Sequence, residues 1–154
     1  MAFTKLQREQ IHQKFNGHCA YCGEVIKLKD MQIDHIIPQS FFWGFVKSKI
    51  HVPDFLKHLT ETDVNHNDNL HPACRVCNKW KATFHLELFR SEVSDQLKRL
   101  NDYSSNFRMA KKYGLVLEVS KPIVFYFERV GKNILLKPEL TDELSHEAQN
   151  EAIV

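Results

Sequence analysis

Two stretches of the same form, CAYC at Cys19–Cys22 and CRVC at Cys74–Cys77, contain all four cysteines of this 154-residue chain. Two residues between a pair of thiolates let both sulfurs of a tight turn reach one tetrahedral zinc ion, and two such turns complete a four-thiolate site. Two disulfides or a redox dithiol are the alternatives, but a redox CxxC normally stands alone in a thioredoxin-like pattern that is missing here. We therefore expect Cys19, Cys22, Cys74 and Cys77 to bind a structural Zn²⁺.

The composition favours one compact unit inside the cell. Apolar residues make up 43% of the chain and aromatic residues 11%, which is enough for a packed core. No stretch approaches the roughly 20 apolar residues that span a bilayer, and the polar N-terminus does not have the pattern of a signal peptide. We expect an intracellular, cytoplasmic protein with no membrane partner, in which disulfides are disfavoured.

The net charge of +2 is unevenly distributed. Residues 139–154 contain five acidic residues and no Lys or Arg, which leaves 21 basic and 14 acidic residues, a net charge of +7, in residues 1–138. A basic body suits a polyanion such as nucleic acid. A solvated surface with a solubilising acidic tail explains the same charges equally well.

The stretch MQIDHIIP, Met31–Pro38, places Asp34 and His35 among isoleucines that are typical of a buried strand. A carboxylate and an imidazole are costly to bury unless they have partners. Either the two side chains satisfy one another in the core, or they face a metal site.

Local patterns in the first half of the chain predict a helix, two strands and a longer helical segment. Thr4 and Gln7 have the spacing of a capping box. Residues 25–28 and 31–37 read as two short strands. Residues 40–63 are expected to be mostly helical, and their aromatic side chains to form a small local core rather than a base-stacking surface.

The second half is expected to begin with helices and to end with a hairpin. One helix starts at or just before Asn78, a second with an amphipathic apolar stripe is expected to have Thr83 as its N-cap, and a third covers residues 104–113. Residues 115–119 and 123–128, LVLEV and IVFYFE, predict a β-hairpin.

The order CxxC, Asp34-His35, Asn69-Leu70 and CRVCNKWK, in the form CxxCNxxK, resembles the HNH endonuclease family over residues 19–81. The resemblance implies a ββα-metal, treble-clef-like core with structural zinc, in an α+β fold extended by C-terminal helices and the hairpin. It also suggests an HNH nuclease domain at 1–82, an accessory region at 83–138 and an acidic tail, helical or disordered, at 139–154.

The resemblance implies a role for each matching residue. His35 is the general base, because an ordinary imidazole is mostly neutral at pH 7 and can take a proton from water. Asp34 and Asn78 hold one catalytic Mg²⁺ or Mn²⁺ through oxygen atoms. Asn69 forms hydrogen bonds to the loop backbone and so holds His35 in its catalytic orientation. Lys81 either contacts a DNA phosphate or is a solvated lysine.

Structural roles compete with these assignments. His35 could be a satisfied core histidine, Asn78 a helix cap and Asn69 an Asx-turn residue. Four further histidines are expected to be surface residues without a ligand: His51, His58, His66 and His71.

These residues together predict a metal-dependent DNA endonuclease that nicks one strand, with double-strand cleavage requiring a homodimer or two successive nicks. A zinc-stabilised nucleic-acid-binding module without catalysis is the alternative. A redox protein that uses its CxxC pairs is a third hypothesis.

Overall fold

The fold combines short helices with one small sheet. The structure, a computed structural model, describes residues 3–42 and 51–133. This part of the chain contains α1 (Lys5–Gln13), β1 (Gln32–His35), α2 (Gln39–Phe42), β2 (Leu70–Ala73), α3 (Arg75–Lys81), α4 (Leu86–Ser94), α5 (Gln96–Tyr103), α6 (Ser105–Lys112) and α7 (Tyr126–Asn133), with 3-10 turns at Asp54–Leu56 and Asn67–Asn69. The mixed α+β class is confirmed in this general form.

The sheet consists of β1 and β2, which pair antiparallel and place Asp34 opposite His71. The strand predicted around Asp34 is confirmed, but its partner is not the predicted strand at residues 25–28, which is reduced to a single bridge. The partner β2 lies directly before the second cysteine pair, in a segment for which no strand was predicted. Pro72 fits inside β2 because both strands of a two-stranded sheet are edges, where a residue without an N–H is tolerated.

Two apolar clusters hold the elements together. The larger joins α1, the sheet, the cysteine turns, α4 and the start of α7, and its largest members include Ile11, Tyr21, Met31, Leu70, Leu86, Phe89 and Phe125. The smaller comprises Ile36, Ile37, Phe42, Val52, Leu56 and Leu59. A local core is therefore present after β1 but is mainly aliphatic: of the described aromatic residues expected in it only Phe42 belongs, and Phe41 and Phe55 are 37% and 50% exposed.

Two of the predicted helix starts are confirmed by their caps. Thr4 Oγ1 accepts a hydrogen bond from the Gln7 amide at 3.2 Å, and Gln7 Oε1 accepts one from the Thr4 amide at 2.8 Å. Ser104 Oγ caps α6 in a similar way. Gly114, with φ +70°, follows the end of α6 in the left-handed conformation that glycine adopts without strain.

The helix expected after Thr83 differs in two respects. It begins at α4, where His85 Nδ1 rather than Thr83 accepts the capping hydrogen bond, from the Leu88 amide at 3.3 Å. It then breaks at Asp95 into α4 and α5. The apolar stripe continues across this break, so periodicity alone did not reveal it.

The β-hairpin expected from residues 115–119 and 123–128 is wrong. Residues 115–125 form no strand, and α7 begins at Tyr126. The Tyr126 amide donates to a carbonyl of the first cysteine turn at 2.9 Å. Glu128 Oε2 accepts from the Phe125 amide at 2.9 Å and caps the helix. The aromatic run therefore anchors a helix to the cysteine turn instead of pairing with a second strand.

Several expectations fall outside the described residues. They include the acidic tail at 139–154, the end of the accessory region and two aromatic residues of the expected local core, Trp43 and Phe45.

In residues 3–42 and 51–133, no helix has the length and apolar character needed to cross a bilayer.

Candidate functional site

The four cysteine sulfurs converge on one point. They lie within 4.8 Å of one another, and the Sγ atoms of Cys22 and Cys74 are 3.9 Å apart. A tetrahedral ion with metal–sulfur bonds of about 2.3 Å would place its sulfur ligands about 3.8 Å apart. All four are unbridged thiols. The donor set and its spacing therefore fit a metal such as zinc.

Backbone hydrogen bonds shape the two cysteine turns. In the first turn, the Gly23 amide donates to the Cys19 carbonyl at 3.0 Å, and Gly23 has φ +82°. A Cβ at Gly23 would lie 2.8 Å from the Tyr126 ring, so only glycine fits beneath α7. In the second turn, Cys74 is the N-cap of α3 and its Sγ accepts from the Cys77 amide at 3.4 Å.

Three thiols of this cluster, those of Cys19, Cys22 and Cys77, have strongly shifted pKa values. Hydrogen bonding from Cys77 lowers the pKa of Cys19 to about 4. The same interaction raises the pKa of Cys77 far above its usual range, and burial raises the pKa of Cys22 to about 11. The Cys19 thiolate forms readily, and its negative charge disfavours ionisation of Cys22 and Cys77. A divalent cation would remove this repulsion and hold all four as thiolates.

Asp34 is buried, with 5% of its surface exposed, and its carboxylate has two partners. The Tyr21 hydroxyl donates to Oδ2, and Lys81 Nζ lies 3.0 Å from Oδ2 and 3.3 Å from Oδ1. Burial raises the pKa of the Asp34 carboxyl, whereas the Lys81 charge and the hydrogen bond from Tyr21 oppose that rise. The acid among the isoleucines is thus compensated by a lysine and a tyrosine rather than by the neighbouring histidine.

His35 is half-buried at the end of β1, and its ring is held from the loop before β2. Its Nε2 lies 2.9 Å from Asn65 Oδ1 and, at a longer distance of 3.3 Å, from Gln39 Nε2. The Asn65 oxygen can only accept and the Gln39 amide nitrogen can only donate, so one state of Nε2 cannot satisfy both contacts; the shorter one, to Asn65, is satisfied with the N–H on Nε2. The lone pair of the neutral ring is then on Nδ1.

The backbone around His35 is fixed from two sides. Asn69 is fully buried; its Oδ1 accepts from the Ile37 amide at 2.8 Å, and its Nδ2 donates to the Ile37 and Val64 carbonyls at 3.2 and 2.9 Å. Lys81 Nζ donates to the His35 carbonyl at 2.7 Å. The loop-backbone hydrogen bonds expected of Asn69 are therefore present.

A cleft of about 630 Å³ brings three of the predicted site residues together. Asp34 and His35 reach it from β1, and Asn78 reaches it from α3. Asn78 directly follows Cys77, so the helix that starts at the second cysteine turn also forms one wall of the cleft.

Lys81 lies inside the core rather than on the surface, where either a phosphate contact or a solvated lysine was expected. None of its surface is exposed, and its ammonium group is occupied by Asp34 and the His35 carbonyl. A lysine so placed has no route to a phosphate. Its buried position also makes it a supporting residue of the cleft, which its spacing from Asn78 did not reveal.

His71 is likewise buried, contrary to its expected surface position. It is 4% exposed, and its Nδ1 has no hydrogen-bond partner among the described residues. Burial and the nearby charges of Lys14 and Lys81 hold its pKa well below the usual range.

Two residues of the site, Asn65 and Tyr21, were not predicted from the sequence. Asn65 lies in a polar loop without periodicity, and Tyr21 lies between two cysteines whose spacing gives no information about the residue between them.

The fold and the cleft define a class of protein: an α+β chain in which a four-cysteine cluster, able to bind a metal, lies beside a cleft with an acid, a histidine and an amide. A family model described as HNH endonuclease matches residues 19–44, which contain the first cysteine turn, Asp34 and His35. Over these residues the chain is similar to the HNH endonuclease family, a family of phosphodiester hydrolases. No curated protein or solved structure is significantly similar to it.

Proposed function

We propose that this protein is a metal-dependent DNA endonuclease in which His35 is the general base. The observation that carries the proposal is the convergence of Asp34, His35 and Asn78 on one cleft beside the four-cysteine cluster. The two strands followed directly by α3 fit the ββα-metal arrangement that this activity uses in the family.

His35 would accept a proton from the water that attacks the phosphodiester. The contact from Nε2 to Asn65 Oδ1 leaves Nδ1 as the basic nitrogen of the neutral ring. Proton acceptance needs a fixed ring as well as a free lone pair. Asn69 and Lys81 supply that rigidity through the backbone on either side of the ring.

Asp34 and Asn78 would hold the catalytic cation, Mg²⁺ or Mn²⁺. An ionised carboxylate offers about four acceptor positions, and the contacts from Tyr21 and Lys81 use three, which leaves Oδ1 able to bind a cation. The side-chain oxygens of Asp34 and Asn78 are the hard donors that these ions prefer. When bound, such an ion stabilises the negative charge that develops on the phosphate and on the leaving oxygen.

The four-cysteine cluster would hold a structural zinc ion. Its four thiol ligands leave no open position for a substrate. Since α3 carries Cys77 and Asn78 side by side, the zinc ion would fix the wall of the cleft against the sheet.

The test is relaxation of supercoiled plasmid DNA by the full chain, with Mg²⁺ or Mn²⁺ added or omitted. Three proteins are purified identically: the natural chain, His35→Ala, and His51→Ala as a control that removes an exposed histidine outside the cleft. We expect metal-dependent nicking by the natural chain and His51→Ala, and a loss of at least about 100-fold in His35→Ala.

The outcomes separate the proposal from its rivals. Nicked circles should form first, because one cleft cuts one strand, and linear DNA should follow only with a second chain or a second nick. Equal nicking by all three proteins would refute His35 as the base. DNA binding without cleavage at any metal concentration would favour a zinc-stabilised nucleic-acid-binding module.

A further inference from the structure

Three side chains outside the cleft and the cysteine cluster converge in the segment before β2. A ring nitrogen of His58, a ring nitrogen of His66 and a carboxylate oxygen of Asp68 all lie within 4.8 Å of one another. His58 Nε2 is 2.9 Å from Asp68 Oδ2, and His66 Nδ1 is 3.7 Å from the same oxygen.

These distances suit a transition-metal ion. Nitrogen and oxygen ligands about 2.0–2.1 Å from a tetrahedral ion lie about 3.3 Å apart, between the two measured separations. Two imidazoles and one carboxylate are a donor set that Zn²⁺ accepts, with a water completing the coordination. All three side chains are about half exposed, so a solvent-facing position is available for that water.

His66 Nδ1 already presents its lone pair toward Asp68. It accepts a hydrogen bond from the Asp68 amide at 3.3 Å, so this nitrogen carries no proton. The bond is long, and exchanging it for a metal bond costs little. At His58 the ion would take the place of the proton shared with Asp68.

The backbone that carries the three ligands is anchored nearby. Leu59, next to His58, is buried in the smaller apolar cluster. On the other side, Lys14 Nζ donates to the Asn67 and Leu70 carbonyls, both at 2.7 Å. Binding would therefore not have to order a flexible segment, a cost that commonly weakens ion binding at exposed side chains.

We propose that His58, His66 and Asp68 form a second metal site, which binds Zn²⁺ or a similar divalent transition-metal ion. The bound ion would link residue 58 to residues 66–68. Because His66 follows Asn65, this link would also restrain the residue that contacts His35 Nε2.

The test is metal titration of the full chain already loaded with one equivalent of zinc at its cysteines, as confirmed by elemental analysis. With millimolar Mg²⁺ present to occupy the proposed cation site at Asp34 and Asn78, added Co²⁺ should bind as a second equivalent at micromolar concentration. It should give visible d–d absorption without the intense near-ultraviolet band of a cobalt–thiolate bond. His58→Ala and Asp68→Asn should each weaken this binding by more than about tenfold, whereas His51→Ala should not.

Two measurements distinguish loss of the second metal site from loss of the fold. Retention of the first zinc equivalent and an unchanged far-ultraviolet dichroism spectrum show that each variant is folded. In the natural chain, Zn²⁺ should shift the ring resonances of His58 and His66 but not of His51. Absence of a second equivalent, binding only at millimolar metal, or equal affinity in His58→Ala would overturn the proposal.

Discussion

Replacing Lys81 by methionine removes the positive charge that compensates a buried carboxylate. The Lys81 side chain is fully buried, and its ammonium contacts both oxygens of Asp34 and the His35 carbonyl. Methionine has a similar length and flexibility, so it fills the space of the lysine stem with little change in packing. The main effect is therefore electrostatic.

The expected loss of stability is large. Removing one partner of a buried ion pair costs about 3–5 kcal/mol, because the other charge is left without compensation. Adding Asp34→Asn removes that charge. The double variant should then lose only the hydrogen bond to the His35 carbonyl and part of the Tyr21 contact, about 1–2 kcal/mol. The double variant should therefore be about 2–3 kcal/mol more stable than Lys81→Met, and the costs of the two single variants should add up to well above the cost of the double variant.

The assay is urea unfolding of the natural chain, the two single variants and the double variant, at constant excess zinc. The free energy of unfolding in water follows from linear extrapolation. A cost below about 1 kcal/mol for Lys81→Met, or a double variant as unstable as the sum of the single ones, would refute the buried pair described above.

Two further predictions concern the cysteine cluster and the buried histidine. Cys19→Ser should lose zinc and unfold, because a structural zinc ion contributes about 10–16 kcal/mol, comparable with the whole stability of a domain; elemental analysis and circular dichroism measure this, and a folded variant with a full zinc equivalent would contradict it. His71 is held neutral in the fold, so its contribution to stability is complete above the ordinary histidine pKa of 6.5 and falls below that pH by about 1.4 kcal/mol per pH unit as the unfolded chain binds a proton. The stability of His71→Leu should decline less steeply than that of the natural chain between about pH 6.5 and 5 at constant excess zinc, and parallel curves would contradict a neutral buried His71.

The sequence determined the parts of the site that depend on spacing along the chain. Two CxxC turns specify four thiols for one ion, and this convergence was predictable. The capping patterns of α1 and α6 were also predictable, because a cap depends on residues within one turn. The position of Asn78 on a helix was also predictable, because the last cysteine of a zinc-binding CxxC turn commonly leads into a helix.

The burial of a side chain, and its contacts with residues far away in the sequence, could not be predicted in this way. Helical spacing placed Lys81 on the same side as Asn78 but gave no information on whether that side is covered. Burial of Lys81 became possible only because Asp34, 47 positions earlier in the chain, supplies its counter-charge. The run at 123–128 looked like a strand because it is rich in β-branched and aromatic residues, and its real partner is a cysteine turn about a hundred residues away.

The short helix α3 places strict limits on insertions and deletions. In seven residues it contains Cys77 of the four-cysteine cluster, Asn78 of the cleft and Lys81 of the core. Each residue of an α-helix advances the chain by about 100° around the axis, so one extra residue after Cys77 would turn Lys81 away from Asp34 by that angle. Length variation among relatives of this chain should therefore avoid residues 74–81 and concentrate in the segment between α2 and β2.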